Sequence, residues 1–446
     1  MTETVTMTET MTMIEPVRVA ETVFDQVSRE LQSEHDNDQS FWWDMFGQSL
    51  ATLLKTAGYN ETGQLENMRW FHRWVPRSLG PRPVNGKIHY PSTMTMDGSP
   101  LEYSLNWKEK KPTQLIRFTA EPMSHETGRP IDALNRAAAR NLLASMAKEI
   151  PGINLNRFDI LIAATHVPED KMEQVQSQLP PGHVDMRVVC AYDLEDGGLI
   201  AKCYLNPEPR AAYDGTSTNT VAFDAVSKCD GPHGSYDAST EAVRSYLNSF
   251  DESERPKIML MAIDCVADSP KSRIKLYSQS PINTLAAALD RFSLGGRLSG
   301  PVIEGGLEAI RSFWCHRFGF DRSNLTPEIL NEECMPAGSW MLFVYEMRPV
   351  KHDQKQEPEI EVKMHMPATW LGQTDTEIGQ VLSTWFEKNG HSHLASRYLN
   401  DLALAFPKLD LNQPDARIHT YISLAHTPKT GLYMTTYYTP RVTQFY

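Results

Sequence analysis

Apolar positions along the chain follow two rhythms, one of three to four residues and one of two, and the rhythms take turns. The first marks amphipathic helices and the second half-buried strands. Residues 17–59 read as two helices, the second over 41–57 with the cluster Phe41-Trp42-Trp43. A third, 64–79, is stopped by Gly80-Pro81-Arg82-Pro83. Strands are expected at 90–96 and 101–107 around the turn Asp97-Gly98-Ser99-Pro100, and at 114–121. A helix over 131–150 leads to a hairpin of 186–194 and 199–206 about Glu195-Asp196-Gly197-Gly198. Helices at 217–225 and 239–250 then precede strands at 257–266 and 272–278. Helices at 283–292 and 303–318 precede strands at 340–348 and 359–367, which a charged loop over 349–358 joins. Helices at 375–388 and 395–405 precede a last hairpin, 416–426 and 432–439.

A helix–strand–strand–helix unit repeated about five times gives about ten antiparallel strands with helices outside. Closing such a sheet removes its edges, and a barrel of that size encloses a ligand chamber. The expected class is α+β, one barrel domain over residues 17–446, because no composition shift marks a linker. Residues 1–16, a Thr/Glu/Met repeat, are expected to be a disordered tail; they lack the basic start and apolar core of a signal peptide.

The strand faces are unusual. In Arg273-Ile274-Lys275-Leu276-Tyr277, alternation puts two cations and a tyrosine on one side. Lys202-Cys203-Tyr204 and Lys363-Met364-His365 repeat cation-x-ring. If these faces converge, they line one cationic, ring-walled cavity. Arg117 adds a cation, Tyr421, Tyr433 and Tyr437 add rings, and Glu102 is a single strand acid. Four or five cations suit a phosphate or diphosphate. Rings beside them suit a carbocation, because ring faces attract positive charge and exclude water. A lone carboxylate near an aromatic acceptor takes its N–H or O–H proton. Met94 and Met96, just before the Glu102 turn, offer an adaptable apolar wall for the acceptor.

Composition narrows the classes. The 446 residues are 41% hydrophobic and 22% charged, enough for a large core. A net charge of −13 argues against a nucleic-acid partner. No apolar run is long enough to span a membrane. Six cysteines without CxxC spacing read as reduced thiols of a cytoplasmic protein, with neither disulfides nor zinc. The chain has no aspartate-rich DDxxD cluster to hold Mg²⁺, no GxGxxG fingerprint and no P-loop, so no metal or cofactor is expected. Gly295-Gly296 and Gly305-Gly306 read as helix junctions. Small molecules are the expected partners, and a homodimer is the protein assembly left open.

The strings Leu79-Gly80-Pro81, Ser99-Pro100-Leu101-Glu102-Tyr103-Ser104, Lys202-Cys203-Tyr204, Lys271-Ser272-Arg273-Ile274-Lys275-Leu276-Tyr277, Leu294-Gly295-Gly296 and Tyr433-Met434-Thr435-Thr436-Tyr437 together resemble the fungal aromatic (indole) prenyltransferases of the dimethylallyl tryptophan synthase type. The resemblance covers residues 17–440 and implies the ABBA barrel, ten antiparallel strands ringed by helices. It implies transfer of a dimethylallyl group from dimethylallyl diphosphate to an aromatic acceptor by metal-independent Friedel–Crafts alkylation. Matched residue by residue, Glu102 meets the acceptor's N–H, and Arg117, Lys202, Arg273, Lys275, Lys363 and Tyr433 meet the diphosphate. Tyr204, Tyr277, Tyr421 and Tyr437 shield the cation, with His365 in the same wall. The acceptor it favours is an indole larger than tryptophan, a tryptophan-containing cyclic dipeptide or an indole alkaloid. A phenolic polyketide such as a xanthone is the runner-up, and a non-catalytic barrel binding an isoprenoid or another anion is the rival class.

Three positions depart from the family pattern. Lys363-Met364-His365 stands where relatives carry Gln-x-Tyr, which leaves His365 as shield, diphosphate contact or base. Cys190 stands where enzymes acting on free tryptophan carry Lys. The cation expected after Tyr421-Ile422-Ser423 is shifted to Lys429.

Overall fold

Ten strands pair in an unbroken antiparallel ring: β1 (Leu101–Lys108), β2 (Lys111–Ala120), β3 (Val188–Glu195), β4 (Gly198–Leu205), β5 (Lys257–Asp264), β6 (Ile274–Ser280), β7 (Met341–Met347), β8 (Ile360–Pro367), β9 (His419–Thr427) and β10 (Gly431–Tyr438). Each strand pairs with its neighbours in sequence, and β1 pairs with β10 to close the barrel. The computed structural model describes residues 21–31, 34–179, 188–195, 198–336, 338–351, 357–368 and 372–442. The expected tail over 1–16, the residues just before β3, the 196–197 tip of the second hairpin and residues 352–356 of the 349–358 loop lie outside these.

Alternation explains how one strand serves two environments. On β1, Tyr103, Leu105 and Trp107 face the helices, where the Tyr103 hydroxyl donates to the Phe46 carbonyl at 2.6 Å and Trp107 meets Phe386 and Trp385 edge-on. Glu102, Ser104 and Asn106 face inward. The core is therefore the annulus between barrel and helices, with Trp42, Phe46, Phe118, Tyr345, Ile422 and Leu424 among its buried members. The helix Asp375–Lys388 docks there with a capping box, Thr374 bonding the Glu377 N–H and the Glu377 side chain bonding back.

Four expectations need correction. Residues 90–96 form no strand: Pro91 has no N–H, Ser92 bonds back to Gly98, and Thr95 bonds to the Ser99 carbonyl. The first hairpin instead turns at Glu109-Lys110. The helix expected over 131–150 begins at Ala137, where the Asp132 carboxylate accepts the Arg136 and Ala137 N–H groups. Helices Asn156–Ala164 and Met172–Gln178 were not anticipated, being too short for a clear period. Gly305 and Gly306 lie inside the helix Pro301–Phe318; a Cβ would strike the His426 ring of β9 at Gly305 and the Phe292 ring of the helix Leu285–Phe292 at Gly306, so the two glycines let that helix press on the barrel and on its neighbouring helix.

Candidate active site

The inward faces form layers along the barrel axis. The first is charged. Register brings Arg117 opposite Asp193, Lys202 opposite Asp264, and Lys275 opposite Glu346. Lys202 Nζ lies 2.5 Å from Asp193 and Lys275 Nζ 3.1 Å from Asp264. Arg273 Nε donates to Asp264 at 2.7 Å, and its Nη1 donates to Glu346 at 3.1 Å. Lys363 Nζ donates to Glu346 at 2.9 Å. The Arg117 guanidinium touches the Tyr433 hydroxyl at 2.5 Å, and Arg117, Lys108 and Lys363 all lie against the Tyr433 ring. All six diphosphate candidates thus share one layer.

Burial works against every charge here, and the neighbours decide the outcome. Burial opposes ionisation of Glu346, but Lys363, Lys275 and Arg273 hold it well below the usual carboxylate range. Burial opposes Asp264 too, but Lys275, Arg273 and Lys202 hold it at about 2. For Lys202, burial together with Arg117 and Lys275 outweighs Asp193, and its pKa falls to about 7.

The second layer is aromatic. Ring centroids run 5.6 Å from Tyr204 to Tyr277, 6.1 Å from Tyr277 to His365, 6.5 Å from His365 to Tyr421 and 5.6 Å from His365 to Tyr437. Burial pushes Tyr204 up to about 12 and raises Tyr277, Tyr421 and Tyr437, so these rings stay neutral. Burial and then Lys363 push His365 down to about 3, so the imidazole is neutral as well. A protonated His365, a poor neighbour for a carbocation, is not the resting form.

The rings also wall a chamber of about 840 Å³, its open mouth included, which Met94, Val189, Leu260, Trp340 and Leu342 complete with Glu102 at its side. Glu102 is nearly buried, and burial lifts its pKa to about 7 against the opposing hydrogen bond that Thr420 donates to Oε1. Among the described residues it joins no ion pair. Arg117, on the adjacent strand β2, pairs with Asp193 and not with Glu102. Acidity alone does not set Glu102 apart, since three acids sit among the cations; its separation from them does.

Some expected residues fall elsewhere. Met94 lines the chamber but Met96 is 48% exposed, a consequence of the missing strand. Cys190 faces outward and is fully buried beneath the helices; the chamber-facing residue beside it is Val189. No cation therefore stands there, although the position that shows it is Val189. Lys429 is exposed on the β9–β10 turn.

Sequence reasoning missed Lys108, Asp193, Asp264, Glu346, Thr420 and Trp340. Asp193, Asp264 and Glu346 share the inward parity of their strands, so alternation alone would have found them. Lys108 ends β1 beside Tyr433, a neighbour that only barrel closure supplies. Among the described residues no cluster of three or more His, Cys, Asp or Glu side chains is arranged to hold a metal ion. No helix among them is long and apolar enough to cross a membrane.

The sequence matches the family described as tryptophan dimethylallyltransferase over residues 38–401. It is 43% identical to the prenyltransferase iacE of Pestalotiopsis fici, across 94% of this chain and 95% of that one. The fold matches AnaPT of Neosartorya fischeri with a TM-score of 0.80 at 21% identity, covering 94% of this chain and 98% of that chain. It also matches NotF, solved with brevianamide F and DMSPP, with a TM-score of 0.76 at 24% identity and coverage of 93% and 98%.

Proposed function

This chain belongs to the tryptophan dimethylallyltransferase family and is a prenyltransferase with the ABBA barrel; on that premise we propose how its three layers divide the reaction. Dimethylallyl diphosphate lies with its phosphates on Arg117, Lys202, Arg273, Lys275, Lys363 and Tyr433, and its prenyl carbons among Tyr204, Tyr277, His365, Tyr421 and Tyr437. The C1–O bond breaks, its electron pair leaves with the diphosphate, and the rings attract the allylic cation and exclude water. An aromatic acceptor in the chamber presents an N–H or O–H to Glu102. Its ring carbon forms the new C–C bond, and loss of that carbon's proton restores aromaticity.

The observation that carries this reading is the order of the layers: cations, then neutral rings, then one isolated acid above them. The side-chain cations supply the counter-charge a leaving diphosphate needs, which supports a reaction that needs no metal. No cation faces the acceptor chamber among its described lining residues, which supports an acceptor without a free carboxylate. An indole larger than tryptophan fits; NotF, which shares the fold, was solved with brevianamide F. A phenol is the second reading. A carboxyl group at about 7 lies closer in acidity to a phenol O–H than to an indole N–H, and so is better suited to take the proton outright. A cytoplasmic enzyme acting on small molecules is consistent with the free thiols among the described residues.

The test is incubation with dimethylallyl diphosphate and a panel of indoles, tryptophan-containing cyclic dipeptides and phenols, each with and without EDTA. Mass spectrometry should show one added dimethylallyl group, unaffected by EDTA. Diphosphate binding without any alkylated acceptor would leave only the anion-binding barrel.

A further inference from the structure

Alkylation of an aromatic ring leaves a proton on the attacked carbon, and some group must remove it. Glu102 is committed to the acceptor's heteroatom proton. The wall tyrosines are phenols that burial keeps protonated. Among the described residues lining the chamber, the one other side chain with a basic lone pair is His365.

The geometry of His365 is that of an unspent base. It is 7% exposed and faces the chamber from β8. Its Nε2 lies 3.1 Å from the Tyr437 hydroxyl, while its Nδ1 is buried with no hydrogen-bond partner among the described residues. A buried imidazole nitrogen left unpaired has a free-energy cost that a ligand contact relieves. The ring sits inside the aromatic girdle, within 6.5 Å of Tyr277, Tyr421 and Tyr437, where allylic cation and acceptor carbon must meet.

We propose that His365 is the base that takes the proton from the alkylated ring carbon, and that Tyr437 carries the charge onward. In this step the C–H bond breaks, its electron pair returns to the ring, and Nδ1 gains the proton. The Nε2 proton passes to the Tyr437 oxygen, whose own proton goes to the departing diphosphate. The inference rests on the prenyl-transfer reading. Weak basicity is no obstacle, because the alkylated ring before proton loss is a far stronger acid than an imidazolium. Weak basicity also serves the first step: a neutral imidazole adds no repulsion while the allylic cation forms.

The test uses a ring-deuterated acceptor and dimethylallyl diphosphate labelled with ¹⁸O at the bridging position. In the wild-type enzyme proton loss is fast, so the isotope effect on kcat is near unity and the unreacted dimethylallyl diphosphate recovered shows little scrambling. His365→Phe should lower kcat by about 10²-fold, within the range of a lost general base. It should also expose a primary isotope effect and increase scrambling, with KM for dimethylallyl diphosphate unchanged. His365→Gln, which keeps an N–H toward Tyr437, carries the same expectation should the Phe variant not fold. A wild-type chain that alkylates no acceptor sinks the prenyl-transfer reading itself. A working wild type whose variants lose rate without any isotope effect, or lose none, overturns the base assignment alone.

Discussion

At the floor of the barrel Lys202, Lys275 and Lys363 each lie beside a buried carboxylate; at the acceptor end Glu102 has a threonine for company and no cation. The floor is a network in which each of Asp193, Asp264 and Glu346 answers to more than one cation, so removing one cation leaves others to hold the diphosphate. The acceptor end carries its chemistry on single groups without substitutes. Binding the charged half of the substrate is thus a distributed property of this barrel, and activating the neutral half is a local one.

The largest expected effect is at the local end. Glu102→Gln keeps the shape and the Thr420 bond but removes the proton acceptor, and should lower kcat by about 10²–10⁴-fold with KM for the diphosphate unchanged. The pH profile gives the same residue a second reading. Activity needs the carboxylate, so kcat/KM should rise as pH rises through about 7. Stability runs the other way: the raised pKa favours the neutral acid, a contribution complete below the ordinary carboxylate pKa and lost as pH rises through about 7. A profile flat across that window would break the contrast.

Next comes the keystone of the floor. Glu346 is fully buried and answers to Lys275, Arg273 and Lys363. Glu346→Gln leaves those cations in excess and should destabilise the fold by about 3–5 kcal/mol, read by denaturant unfolding. Inorganic pyrophosphate should restore much of that loss, because it supplies the missing negative charge. The smallest effect tests redundancy itself. Lys275→Ala removes one charged contact of several, worth about 1.5–3 kcal/mol, and should raise KM for dimethylallyl diphosphate by about 10–100-fold while kcat changes little. Complete loss of activity would show the floor to be as unforgiving as the other end.

Most of the barrel was legible from the two rhythms. The strands after Glu121 lie close to where alternation put them, because each must bury one face against helices and line a chamber with the other. The cations and rings were legible for the same reason. The acids were not, since attention to the pattern cation-x-ring passed over Asp193, Asp264 and Glu346 at the same parity. Met96 failed because the segment closes on itself: the Ser92 hydroxyl accepts the Met94 N–H, and the Thr95 hydroxyl donates to the Ser99 carbonyl, which competes with a ladder. Cys190 failed on parity: with Asp193 inward, residue 190 must point out. Thr420 and Trp340 offered no signal, since their places depend on how β9 and β7 curve over the chamber.

Barrel closure falls to the last strand made. Tyr433 and Tyr437 lie on β10, whose partner β1 starts at Leu101, so the seam joins positions more than three hundred residues apart. A growing chain on the ribosome exposes the cation-bearing strands long before that seam can form. Until residues 431–438 emerge, no sealed space exists in which an allylic cation could outlive water. Such long-range closure is slow to form, and a chain that stops short of the seam keeps most of its phosphate ligands but has nowhere to react.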